Sequence, residues 1–292
     1  MVDAGDRIRK RVQQALSGIK QDNIYSPNYT GQVFTPNFTP GENSVVKQGP
    51  YACTNACADN PVPGALFFGP QTPAFVQVTN TSALAIGTSN FTIEWWQYLN
   101  PPVPATGTVQ PYVFGFAPNL TQNPSIAGFW NLTGPSYTTY TLTVRIGATN
   151  YTFNSVASVA SLLNRWVHVA VVGTGSAITV YFNGAQSGSS AVSYNISNTL
   201  ATYPFFVIGN SSPAAGQFQF PGFLTDFRFT IGTAVYTAAF TPPKQPLVAL
   251  ATTDLLLNAL ANAPLQDSSL QKLTVTSGTS TVGWDNVSPY YT

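Results

Sequence analysis

From Gly64 onward the chain repeats one pattern: short runs rich in Val, Ile, Thr, Tyr, Phe and Trp, each closed by Gly, Pro or Asn, with no helical period between them. Strands are expected near 65–69 (ALFFG), 75–79 (FVQVT), 91–98 (FTIEWWQY), 111–116 (PYVFGF), 126–131 (IAGFWN) and 139–147 (TYTLTVRIG). Others are expected near 165–173 (RWVHVAVVG), 177–183 (AITVYFN), 204–209 (PFFVIG) and 222–231 (GFLTDFRFTI), with weaker ones at 254–258 and 271–276. A parallel sheet needs long, usually helical crossovers between strands, and the text has no room for them. The fold class implied is all-β, an antiparallel sandwich of two sheets. Within 165–183, Trp166, His168 and Ala170 alternate with Val167, Val169 and Val171, so the two sets face opposite sides. Both sets are largely apolar, and GTGS at 173–176 turns the chain into AITVYFN. That hairpin is expected in the middle of a sheet.

The residues before Gly64 read differently. Across 6–20, Ile8, Val12, Ala15, Leu16 and Ile19 recur at helical spacing, with Asp6 placed to cap the start. Residues 21–62 lack any period and are studded with Pro, Gly and Asn; Tyr25, Tyr29, Phe34 and Phe38 punctuate them. They form an arm laid over a partner or a plain spacer. The expected organisation is a short amphipathic helix within 1–20, an arm over 21–62 and a sandwich over 63–292.

Only 7% of residues are charged and the net charge is +1, against about a quarter charged in an average globular protein. Nucleic-acid binding would need clustered Lys and Arg; the one basic cluster is Arg7, Arg9, Lys10 and Arg11. No apolar run has the roughly 20 residues needed to span a bilayer, and the first residues carry no signal-peptide pattern. A surface this poor in charge points to self-association or lattice contacts. Cys53 and Cys57 either close a local disulfide or remain two thiols. Ten sequons occur, at Asn28, Asn37, Asn80, Asn90, Asn119, Asn131, Asn150, Asn195, Asn210 and Asn286. They are candidate N-glycosylation sites, although turns rich in Asn and Thr raise their number by composition alone.

The series ALFFGPQTPAFVQV, FTIEWWQYL, RWVHVAVVGTGSAITVYFNGAQSG, FFVIGN and GFLTDFRFTIGTAVYTAAFTPPKQPL resembles the concanavalin A-like lectin/glucanase superfamily, and more narrowly its laminin-G-like branch. The resemblance covers roughly residues 63–290 and implies a concanavalin A-like jelly roll. The closing GTAVYTAAFTPPKQPL followed by TDLLLN is similar to versions found in virion proteins, such as phage tail or fibre proteins and particle proteins of large algal viruses.

Glucanases of this superfamily carry an E-x-D-x-E-like run that supplies nucleophile and general acid. This chain has two glutamates, Glu42 and Glu94, and Glu94 has no acid at i+2 or i+4. A nucleophilic triad would have to use His168, the sole histidine, in mid-strand. No catalytic residue and no resident cofactor is therefore expected. Laminin-G-like domains often hold calcium at the rim; here the acids available for that are Asp226, Asp254, Asp267 and Asp285, with Asp226 expected to pair with the strand of Arg228. Of the tryptophans Trp95, Trp96, Trp130, Trp166 and Trp284, the adjacent Trp95 and Trp96 must face opposite ways, and core packing is the first expectation for each. The functional expectation is a non-catalytic structural or accessory protein of a virus particle or similar extracellular assembly, attached through helix and arm to other structural proteins, with the sandwich displayed. The alternative is a glycan-binding adhesin that recognises host polysaccharide.

Overall fold

The computed structural model describes residues 63–69, 74–100, 108–117, 125–133, 139–154, 162–199, 202–210, 219–278 and 281–290. The helix and arm expected over 6–62, Cys53, Cys57, Asn28, Asn37 and Asn119 lie outside them. The strands are β1 (Ala65–Phe68), β2 (Val76–Thr79), β3 (Phe91–Leu99), β4 (Thr108–Val109), β5 (Tyr112–Ala117), β6 (Ile126–Thr133), β7 (Thr139–Ile146) and β8 (Thr149–Asn154). They continue as β9 (Trp166–Gly173), β10 (Ala177–Phe182), β11 (Ala185–Ala191), β12 (Phe205–Ile208), β13 (Gly222–Ile231), β14 (Thr253–Leu257), β15 (Val275–Ser277) and β16 (Gly283–Asp285).

Two antiparallel sheets result. The first runs β11-β10-β9-β3-β13-β1-β16, with β14 also on β13; the second runs β15-β2-β12-β5-β6-β7-β8, with β4 on β6. The hairpin β9–β10 sits between β3 and β11, inside its sheet as its two apolar faces require.

Inward-facing residues of both sheets meet in one core, where Trp95 stacks on Phe227 at 6.1 Å and meets Phe114 edge-on at 5.7 Å. A polar node crosses it. Gln97 on β3 is buried, and its Oε1 accepts from the indoles of Trp95 (2.8 Å) and of Trp130 on β6 (3.1 Å). Its Nε2 donates to the Tyr140 hydroxyl on β7 (3.3 Å). The amide thereby satisfies two indole donors that burial would otherwise strand, and it links the two sheets.

β13 carries a bulge between Thr225 and Arg228. Asp226 sits there at φ 48°, a left-handed conformation that Asp tolerates better than most residues. Ahead of the bulge Leu224 faces the core and Phe223 faces out; after it Phe227 and Phe229 face the core and Arg228 faces out. The same point divides the neighbours of β13, with β1 alongside Gly222–Leu224 and β14 alongside Phe227–Thr230.

Candidate functional site

The residues with acid–base chemistry lie together on the outer face of the first sheet. Glu94 on β3 stands directly across from Arg228 on β13, and His168 occupies the next strand, β9. Arg228 donates to Glu94 Oε1 from Nε at 2.8 Å and Nη2 at 2.5 Å. His168 Nε2 (3.1 Å) and the Tyr236 hydroxyl (2.7 Å) share Oε2. Glu94 and His168 are fully buried. Burial works to raise the Glu94 carboxyl, but the His168 hydrogen bond and the Arg228 guanidinium outweigh that and hold it below the usual value. The covering layer is the segment that follows β13. Val235 N donates to Thr92 Oγ1, Phe240 N to the Gly184 carbonyl, and Arg228 Nη1 to the Val248 carbonyl. The rings of Tyr236 and Phe240 stack at 3.6 Å over His168 and Tyr181. A carboxylate whose two oxygens accept four hydrogen bonds beneath such a layer has no lone pair turned to a substrate.

Asp226 is expected from the sequence to pair with the strand of Arg228, but the bulge at this position turns its carboxyl to other elements. It accepts instead from Leu247 N (3.2 Å), Asn258 Nδ2 (2.7 Å) and the hydroxyl of Tyr290. Burial lifts its carboxyl to about 6 despite these donors. Asp254 is lifted to about 6, chiefly by burial, and accepts from Ile231 N. Asp267 accepts from the backbone of Leu256, Ser269 and Leu273 and from Ser269 Oγ. Asp285 is exposed on β16. These four aspartates do not fit a calcium site. Three of them already hold protein donors, and no group of three acidic, His or Cys side chains occurs among the described residues.

Farther along the same outer face, beyond Trp96, stands a row that no local signal marks. Phe67 on β1 pairs directly with Phe223 on β13, Phe223 with Tyr98 on β3, and Tyr98 with Trp166 on β9. The ring centroids follow at 4.9, 6.1 and 5.9 Å. Phe67 is 39% exposed, and the other three are half-buried. The exposed Asn100 and Asn164 lie two residues from Tyr98 and Trp166. Of the row, only Trp166 stood out among the tryptophans of the sequence. Trp95, Trp130 and Trp284 serve the core and Trp96 packs on His168 and Tyr290.

The sequons separate by exposure. Asn90, Asn150 and Asn195 are exposed, and Asn131 and Asn286 are half-buried. Asn80 and Asn210 are fully buried, and the Asn80 amide donates to the carbonyls of Asn198 and Tyr203. These two are thereby removed as glycan acceptors in the folded chain.

No curated protein sequence matches the chain. Among solved structures, a proposed carbohydrate binding protein from Bacteroides ovatus is similar, with 15% identity and a TM-score of 0.50, over 77% of this chain and 60% of that one. A heptameric SAP-like pentraxin from Limulus polyphemus is 18% identical over 57% of this chain and 76% of its own, with a TM-score of 0.44. The chain thus spans less than two thirds of the Bacteroides protein. The laminin G family model described as the concanavalin A-like lectin/glucanases superfamily matches residues 71–237. With more than half of its length matched and both sheets in place, the chain belongs to the concanavalin A-like lectin/glucanase superfamily.

Proposed function

We propose that the protein is a non-catalytic carbohydrate-binding sandwich displayed on the outside of an extracellular assembly, a virus particle being the specific setting to which its closing motif is similar. One observation carries the reading: four aromatic side chains aligned across four adjacent strands, one of them exposed and three half-buried. Aromatic rings offer an apolar face to the C–H face of a sugar, and neighbouring amides supply donors and acceptors for its hydroxyls. The fold shared with the proposed carbohydrate binding protein from Bacteroides ovatus agrees with this. The burial of Glu94 supports the non-catalytic part, since a retaining or inverting hydrolase needs two accessible carboxyls.

The direct test is a glycan array probed with the full chain, with and without calcium. Saturable binding to a defined glycan, unchanged by chelation, is expected; an empty array or turnover of a β-glucan defeats the proposal. Its virion part is tested by immunodetection in purified particles against soluble host fractions. Absence from the particles removes that setting and leaves the binding function standing.

A further inference from the structure

The row of aromatic rings also constrains the kind of glycan, a constraint that rests on the carbohydrate-binding reading. We infer that the ligand is a single soluble polysaccharide chain, uncharged and unbranched along the bound stretch, lying across the strands from Trp166 to Phe67.

Three features select it. The rings are direct cross-strand partners, so the row runs perpendicular to the strands and its steps follow the strand spacing of about 4.8 Å. Gly283 on β16 stands opposite Phe67 and prolongs the row without a side chain. A linear polymer that presents one sugar ring after another matches such a row. A terminal sugar would engage one ring and leave the others idle.

The ring planes turn from one member to the next, by 37° between Phe67 and Phe223, 81° between Phe223 and Tyr98, and 71° between Tyr98 and Trp166. A crystalline polysaccharide surface needs coplanar rings. A free chain can rotate about its linkages to present each unit to a differently tilted ring.

Charge is absent from the row itself. Glu94 and Arg228, which face the same side, pair with each other beneath the covering segment. Exposed Arg165 stands by one end and exposed Asp285 by the other, one of each sign. Among the described residues a polyanion would meet no cluster of cations beside the row. The exposed amides of Asn100 and Asn164 offer neutral hydrogen bonding in its place.

The test is calorimetric titration of the full chain with neutral, unbranched gluco-, manno- and xylo-oligosaccharides of increasing length. Co-sedimentation with microcrystalline cellulose and chitin and titration with heparin complete it. Trp166→Ala and Phe67→Ala accompany the native chain, each with a thermal unfolding curve to show that it is folded. The expected result is affinity that rises with chain length until the row is filled, falls by about tenfold or more in either variant, and is missing for crystalline polymer and heparin. Binding only to crystalline polymer, only to heparin, or equally to a monosaccharide overturns the inference while leaving the glycan-binding reading intact. Soluble-chain binding that neither folded variant weakens places the ligand elsewhere and overturns both the inference and the observation behind the reading. No binding to any glycan, with concentration-dependent self-association abolished by Phe67→Ala, shows a second copy on the row and overturns both as well.

Discussion

Replacing Glu94 with Gln keeps the shape of the side chain and removes its charge. Its four donors are the Nε and Nη2 of Arg228, the Nε2 of His168 and the Tyr236 hydroxyl. A glutamine presents one oxygen and one NH2; with the oxygen kept on Arg228, the NH2 meets His168 and Tyr236, which must turn from donating to accepting. Arg228, only 4% exposed, is left without its counter-charge. Breaking a buried ion pair from one side costs about 3–5 kcal/mol, a large part of the roughly 5–15 kcal/mol that stabilises an ordinary domain. Urea unfolding of the full chain followed by tryptophan fluorescence measures the loss, and an unchanged m-value shows that the same surface unfolds. At about 2–4 °C per kcal/mol for a domain of this size, the melting temperature should drop by roughly 10 °C. Glu94→Leu combined with Arg228→Met removes both charges and should recover part of the loss, although His168 and Tyr236 still lose a partner. Folded Glu94→Gln should bind glycan as the native chain does. A stability within about 0.5 kcal/mol of native, the scatter of ordinary surface substitutions, would refute the buried-pair argument. Loss of ligand binding in a well-folded variant would refute the structural role.

Asp226 makes stability pH-dependent in the opposite sense to Glu94. Its carboxyl is raised to about 6, so the folded state holds the proton more tightly than the unfolded chain. The stability this confers is complete below the unfolded value near 4 and is lost as pH rises through 6, by about 3 kcal/mol at most. Unfolding titrations from pH 4 to 7 should show that decline, and Asp226→Asn should flatten it; an unaltered slope counts against the assignment. Half-exposed Asp254 adds a smaller decline of the same sign. Gln97→Leu strands two buried indole donors and should cost about 2–5 kcal/mol by thermal unfolding; a shift near zero would mean that the indoles have other partners. Expression in a glycosylating host followed by peptide mapping should find Asn80 and Asn210 bare, with any glycan on exposed Asn90, Asn150 or Asn195. Occupancy of Asn80 in folded protein would contradict its burial.

The alternation of β-branched and aromatic residues made the strands legible, and the span 222–231 agrees with β13 end to end. What escaped notice lacked that alternation. β11 is AQSGSSA, an edge strand whose apolar demand is slight, and β4 and β16 are two and three residues long. β8 follows β7 through a turn at Gly147 and Ala148, in a span, 149–154, where no strand is expected from the sequence. At the site, the sequence singled out Glu94, His168 and Asp226 one by one. Their partners depend on the order β9-β3-β13-β1, which sets Glu94 beside Arg228 across 134 residues of chain. The bulge at Asp226, which decides that Arg228 turns to Glu94, leaves no mark in composition. The aromatic row is hidden for the same reason, since each ring is an ordinary outward strand position until the strand order is known.

That strand order also explains why the row is open. After β13 the chain must return to pair with the second half of the same strand as β14. The connection lies across the outer face at that end and closes over Glu94, His168 and Arg228. Tyr290, held by Asp226 and packed on Trp96, covers the middle of the face. The first half of β13 is flanked by β1, and β1 by β16, at the other end of β13 from that connection. A fold that can seal most of one sheet face with its own chain leaves four aromatic rings in a line outside the seal. Apolar surface left in water costs about 25 cal/mol for every Å2 that burial would have removed, and contiguous patches of it mark binding surfaces. The geometry of the uncovered row therefore argues for an occupant, and its tilted, uncharged rings argue for a neutral chain that can turn from one ring to the next.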